Sequence, residues 1–239
     1  MTLMLLWVND FRAVFWVATI PAFAAVGLLV FGLHESAPCR DKPRSNPIRR
    51  ESLVRLSKSY WWVVAVGALF TLARFSEAFL VLRALQGGIP VALVPLVLVL
   101  MSLPYFLSAY PIGRLSDRMS HSKLLAIGLV VLIAADLVLA LNDHWLSVVL
   151  GVSLWGLHMG ITQGLLATMV ANTAHADLRG TAFGLFNLTC GVAMLLASVI
   201  AGLLWDSFGA SVTFYVGAVF CVMTLIGLIG NSARLQAEA

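Results

Sequence analysis

Arg74 and Glu77 stand in the middle of an otherwise apolar run, 60–85. An ionisable side chain inside a membrane span costs roughly 2.5–3.5 kcal/mol on insertion scales, so each of them calls for a reason. At i, i+3 spacing on a helix the two share a face and are able to pair. Arg74 is suited to hold an anionic or polar solute, and Glu77 to take up and release a proton. The alternative is a buried ion pair that only fixes helix packing. His158 lies midway along another apolar run, 146–170, with Thr162 on the same helical face and Gln163 close by. Imidazole titrates near neutrality, which makes His158 a candidate proton relay. The alternative is a neutral imidazole hydrogen-bonded to a neighbouring helix. Asp136, in the outer half of the run 124–141, ranks below Glu77, because Asn142 and Asp143 suggest that it reaches the outer interface. Arg83, near the outer end of its run, is expected to snorkel to the interface. Trp155 and Met159 lie beside His158 on the same run, and at helical spacing such residues more often pack than meet a solute.

These side chains need elements to position them, and composition says which. Of the 239 residues, 61% are hydrophobic and 11% charged, and the mean hydropathy is +0.97. Soluble domains carry about 25% charged residues, so the chain is an integral membrane protein. Seven apolar runs, 11–33, 60–85, 91–112, 124–141, 146–170, 181–204 and 211–230, each come near the ~20 residues that cross a bilayer as a helix. The runs are continuous rather than alternating, which excludes a β-barrel. The expected fold class is therefore all-α, with about seven transmembrane helices. Pro21, Pro95 and Pro104 interrupt runs and are candidate kinks. Residues 34–59 are the longest polar stretch, with three prolines and seven cations. Its end, 48–59, is suited to a short basic helix lying on the membrane surface.

Charge sets the expected orientation. Twelve of the fifteen Lys and Arg residues fall in alternate polar segments starting from the long linker. The positive-inside rule then puts the linker and the tail in the cytoplasm and the N-terminus outside. The same spread over several segments argues against a nucleic-acid face, despite a net charge of +4. Cys39, Cys190 and Cys221 form no pairing or metal pattern. Residues 1–8 lack the basic start and small-residue cleavage site of a signal peptide.

One polar stretch carries a motif. Residues 113–123 read GRLSDRMSHSK between two apolar runs. They resemble the loop pattern G-x-L-a-D-r-x-G-r-k of the major facilitator superfamily at Gly113, Leu115, Asp117, Arg118 and Lys123. Ser120, His121 and Ser122 depart from it. The segment DFRAVFW at 10–16 looks like the turn into that family's sixth helix, and RGTAFG at 179–184 like the start of its eleventh. Residues 10–239 thus resemble helices six to twelve of a twelve-helix transporter. This implies a stub and helix six over 1–33, a basic cytoplasmic linker over 34–59, a C-terminal six-helix bundle over 60–230 and a cytoplasmic tail over 231–239. Residues 1–8 would be the end of a fifth helix, with the first five helices otherwise missing.

The resemblance also implies roles. The runs holding Arg74/Glu77 and His158 correspond to the cavity-lining helices seven and ten, and that holding Asp136 to the peripheral helix nine. Gly113, Asp117 and Arg118 belong to a gating loop whose Asp meets the opposite half. The implied function is secondary transport across the cytoplasmic (inner) membrane, in the direction of proton-coupled export. The partners would be a small solute, protons, the lipid bilayer, and a missing N-terminal half or a second copy. The alternative is a half that no longer transports and serves as a membrane scaffold or accessory subunit. A cavity with Arg, Glu, His and Gln suits sugars, organic anions and amphipathic drugs alike. The sequence holds no nucleotide-binding glycine loop, metal cluster or nucleophile–base arrangement, which argues against an ATP-driven pump or an enzyme and implies no cofactor.

Overall fold

The computed structural model describes residues 11–32, 53, 55–141 and 144–237. The chain falls into two units, Met1–Asn46 and Pro47–Ala239. In the first, the expected span 11–33 forms α1 (Phe11–Gly32), a helix of 22 residues with Pro21 inside it. The expected stub 1–8, Cys39 and most of the linker lie outside the described residues.

The second unit holds α2 (Lys58–Ala73), α3 (Ala78–Gln86), α4 (Val94–Ser116), α5 (His121–Leu141), α6 (Trp145–Thr162), α7 (Leu165–Thr173), α8 (Arg179–Phe208) and α9 (Ala210–Ala237). Among the described residues there is no strand. In lipid a backbone must satisfy its own hydrogen bonds, and a helix does so within one segment. Six stretches of this unit are long and apolar enough to cross a membrane: Lys58–Gln86, Val94–Ser116, His121–Leu141, Trp145–Thr173, Ala176–Phe208 and Ala210–Gly230. They coincide with the six expected runs after the linker. The helical ends reach further into the polar segments. Lys58 belongs to α2 rather than to the linker, behind the N-cap Ser57. Gly113 and Arg114 belong to α4, so the motif loop shrinks to 117–120.

Two of the six spans are broken. The first stops at Ala73 and resumes at Ala78. The second is interrupted at Gln163 and Gly164, where Gly164 has φ +84°. That conformation suits glycine, which has no Cβ to clash.

Glycines set the closest helix contacts. α6 packs on α4 and α5, α5 also on α9, and α2 on α8 and α9. A Cβ on Gly156 would strike the backbone carbonyl of Met101, and one on Gly160 would strike Ser108. The spacing Gly156-x-x-x-Gly160 thus seats α4 on α6, as small residues do where lipid offers no hydrophobic drive to association. Gly128 faces Thr162 and Gly151 faces Leu139, which sets the antiparallel register of α5 and α6. At the Tyr60 end, α2 is tied to its neighbours by polar contacts. The Tyr60 hydroxyl donates to the Ala182 carbonyl at 2.9 Å, the Ser57 hydroxyl to the Thr173 carbonyl at 3.2 Å, and Arg55 pairs with Asp177 at 2.9 Å.

Gly156→Ala is expected to lower the thermal unfolding midpoint in detergent, because overpacking costs about 1–3 kcal/mol. Alanine otherwise favours a helix over glycine by about 1 kcal/mol. Gly191→Ala, which meets nothing within 4 Å, should therefore leave the midpoint unchanged or raise it.

Candidate functional site

The break between α2 and α3 makes the site. Arg74 leaves the helix at φ −107°, ψ 80°, and its N–H donates to the Thr71 carbonyl. The next turn is rebuilt from the other side. The Ala78 N–H donates to the Ser76 hydroxyl at 3.3 Å, and the Leu80 N–H to the Glu77 carbonyl at 3.1 Å. Glu77 therefore occupies the N-cap of α3, where the helix dipole favours a negative charge. Phe75 lies between them and turns inward. Its ring is buried among Phe79, Trp155 and Phe214, with centroids 5.4–5.5 Å away. This anchor leaves Arg74, Ser76 and Glu77 half-buried at the mouth of a cleft.

The cleft has a volume of about 360 Å³ and is closed on its far side by Met194 and Ser198 of α8. That is within the ordinary range for a small-molecule site. It joins a cation, a carboxylate and a hydroxyl to a thioether wall. Discontinuous membrane helices of this kind bring backbone and charged groups to solutes at mid-membrane.

The expected Arg74–Glu77 pairing on one helix face is corrected by this geometry. The helix ends between the two, and among the described residues no hydrogen bond or ion pair joins them. Both still line the cleft. Phe75, Ser76 and Met194 escaped the sequence reading, and Ser198, whose small side chain reads in the sequence as helix packing, lines the cleft instead. The break carries neither Gly nor Pro, so no local signal marked it.

His158 is completely buried on α6, and its Nδ1 lies 2.9 Å from the Gly128 carbonyl of α5. Its other neighbours are the Phe70 ring, 5.5 Å between centroids, and Thr162, whose hydroxyl donates to the His158 carbonyl at 3.0 Å. The bond to a neighbouring helix is the bland alternative in substance, yet Nε2 is left with no partner. Gln163 is exposed at the break between α6 and α7. It does not line the Arg74 cleft.

Asp136 does not reach the outer interface. It is 0% exposed, with Oδ2 4.0 Å from the Cys221 sulfur of α9 and Oδ1 unpartnered. Gly217 of α9 leaves the room it occupies. Arg83 does not snorkel either. It is 2% exposed, and its Nε–H donates to the Leu139 carbonyl at 2.8 Å. A cation there satisfies a carbonyl at the negative end of α5. Ala197 and Ala201 of α8 are buried, whereas a Cβ added to Gly180, Gly184 or Gly202 of the same helix would meet nothing within 4 Å.

Gly113, Asp117 and Arg118 lie together at the end of α4, all exposed. Arg118 joins Arg114, Tyr110, Pro111 and Leu115 around a shallow cleft of about 250 Å³. Among the described residues no three His, Cys, Asp or Glu side chains gather into a metal-sized group.

Phe75→Ala is expected to destabilise the bundle by about 3–5 kcal/mol, since it empties a buried aromatic site. Ser76→Ala, which removes only the hydroxyl that accepts the Ala78 N–H at the same break, should cost less, about 1 kcal/mol. Unfolding of both in detergent checks whether the ring holds the break.

Comparison with known proteins fits this architecture. Residues 78–236 match the family model described as Major Facilitator Superfamily. An uncharacterized MFS-type transporter of Methanocaldococcus jannaschii is 28% identical over 221 residues, covering 90% of this chain and 54% of its own. The inner membrane transport protein YajR of Escherichia coli is 25% identical over 178 residues, covering 70% of this chain and 38% of its own. The POT family transporter PepTSo, in its in meso crystal structure, shares the fold at a TM-score of 0.61 and 18% identity, over 74% of this chain and 37% of its own. The chain spans about half the length of the curated relatives it matches. By the family model and the helical architecture together, the chain belongs to the Major Facilitator Superfamily, a family of transmembrane transporters.

Proposed function

We propose that this chain forms one half of a secondary transporter that exports a small solute across the cytoplasmic membrane in exchange for protons. The observation that carries the reading is the cleft at the α2–α3 break, where Arg74 and Glu77 face open space at the middle of a membrane span. Ionisable groups so placed mark solute and ion pathways. Arg74 holds an anionic or polar group of the solute, and Glu77 takes up and releases the proton. His158 lies behind the cleft as a second proton carrier, and Gly113, Asp117 and Arg118 serve as a gating loop. The membrane assignment draws support from the resemblance to an inner membrane transport protein. The spread of cations supports a cytoplasmic tail.

Transport needs access to the cleft from each side in turn, which such folds obtain by rocking two bundles against each other. The second bundle is supplied by another six-helix half, on a partner or upstream on the same polypeptide, or by a second copy. A non-transporting scaffold is the competing reading. It draws on the open apolar face of α8, where Leu188 and Leu195 are 64% and 65% exposed.

The test is Glu77→Gln in an assembly reconstituted into vesicles, with a proton gradient driving solute movement. Gradient-driven transport should fall by about tenfold or more, the effect of losing about 1.4 kcal/mol of coupling. Counterflow without a gradient should persist. Unchanged coupling would remove Glu77 from its role. An assembly that purifies intact and moves no solute from a broad panel would favour the scaffold.

A further inference from the structure

Among the described residues, three buried side-chain polar atoms make no hydrogen bond within the protein: Asp136 Oδ1, Trp155 Nε1 and His158 Nε2. All three belong to α5 and α6. Buried polar atoms of this kind find a partner, most often an ordered water that makes about three hydrogen bonds.

Their placement is not scattered. The pairs Gly151–Leu139 and Gly128–Thr162 set the register of the two antiparallel helices. That register brings Trp155 to the level of Asp136. His158 sits three residues further along α6, on the same face as Trp155. The three residues thus fall along one α5–α6 seam in the order Asp136, Trp155, His158. Their chemistry is complementary. The Gly128 carbonyl only accepts, so His158 Nδ1 carries the hydrogen and Nε2 presents a lone pair. Trp155 Nε1–H only donates, while the Asp136 carboxyl holds or releases a proton.

We propose that Asp136, Trp155 and His158 hold a chain of ordered water molecules along the α5–α6 seam, and that this chain carries protons between Asp136 and His158. A proton leaving Asp136 enters the first water as the last water gives one to His158 Nε2, so no other reactant takes part. Trp155 donates to a water oxygen and sets its orientation. The charged and titratable groups around the seam are Cys221 of α9, against Asp136 Oδ2, Arg83 of α3, bonded one turn along α5 at Leu139, and Arg74 at the break. The seam runs behind Phe75. Both the Phe75 ring and Asp136 Oδ2 come within 3.1 Å of the point where a Cβ on residue 217 would sit. Water here would therefore lie directly behind the wall of the solute cleft.

This inference gives a route to the proton-coupled reading above, but its test needs no transport. Hydroxyl-radical footprinting by X-ray radiolysis, on the full chain in lipid nanodiscs, reads water held beside a side chain. Corrected for intrinsic reactivity, Trp155 should be labelled several-fold faster than Tyr60 and Phe214, which are equally buried at 0% exposure. Infrared difference spectra, with Asp136→Asn to assign the band, should show a protonated-carboxyl band that shifts within minutes of transfer to D2O. Labelling of Trp155 no faster than Phe214 would overturn the proposal. So would a carboxyl band unshifted after a day, since that seam would be dry. Either negative result leaves the Arg74–Glu77 cleft as it stands, whereas retained coupling in Glu77→Gln would remove the cleft reading and leave the seam.

Discussion

Every backbone N–H and C=O inside a membrane must find its partner within the protein, and the rest of this structure follows from that requirement. It explains why the second unit is helix upon helix. It also makes the two exceptions informative. At 74–77 and at 163–164 the ladder is interrupted inside a span. Interrupted backbone at membrane depth is tolerated where it lines a cavity or is packed against protein. The first break does both: Phe75 goes inward to the aromatic cluster, and the residues on either side face the cleft. The second break is exposed and depends on a glycine in the left-handed region.

Close packing does the rest of the positioning. α6 carries small residues toward both of its main neighbours, Gly156 and Gly160 toward α4 and Gly151 toward α5. These contacts let α4 approach within reach of backbone, where a larger residue on α6 would hold it off. Because the α5–α6 register is set by such contacts, the levels of His158 and Asp136 are set too. The polar groups sit where the glycines permit rather than where their charges would choose.

Cost then separates the charges that have a structural partner from those that have none. Arg83 is buried but joined to a carbonyl at the end of α5, so it completes a helix terminus and asks for no further role. Arg55 and Asp177 meet in the open, where an exposed ion pair contributes about 0–1 kcal/mol. Arg74 and Glu77 have neither excuse. They are half-buried in the middle of a span, unbonded to each other, and turned toward open space. That contrast, rather than the mere presence of charge in an apolar run, singles out the cleft.

The sequence by itself determined the class of molecule and the placement of its spans. Apolar runs near bilayer length and a charge content of 11% admit little else, and the Gly113–Asp117–Arg118 motif marks the family. It also picked Arg74 and Glu77, because a charge inside such a run stands out without knowledge of its neighbours. What only the tertiary structure decided was which faces meet. The break at 74–77 has no Gly or Pro to announce it; it depends on Phe75 finding Trp155 and Phe214, which come from helices far along the chain. Asp136 reads as an interfacial acid because Asn142 and Asp143 follow it, yet α9 covers it through Gly217 and Cys221. Arg83 reads as a snorkelling cation until the end of α5 arrives beside it. In each case the deciding partner lies more than fifty residues away, and a local pattern carries no information about which distant helix will cover it.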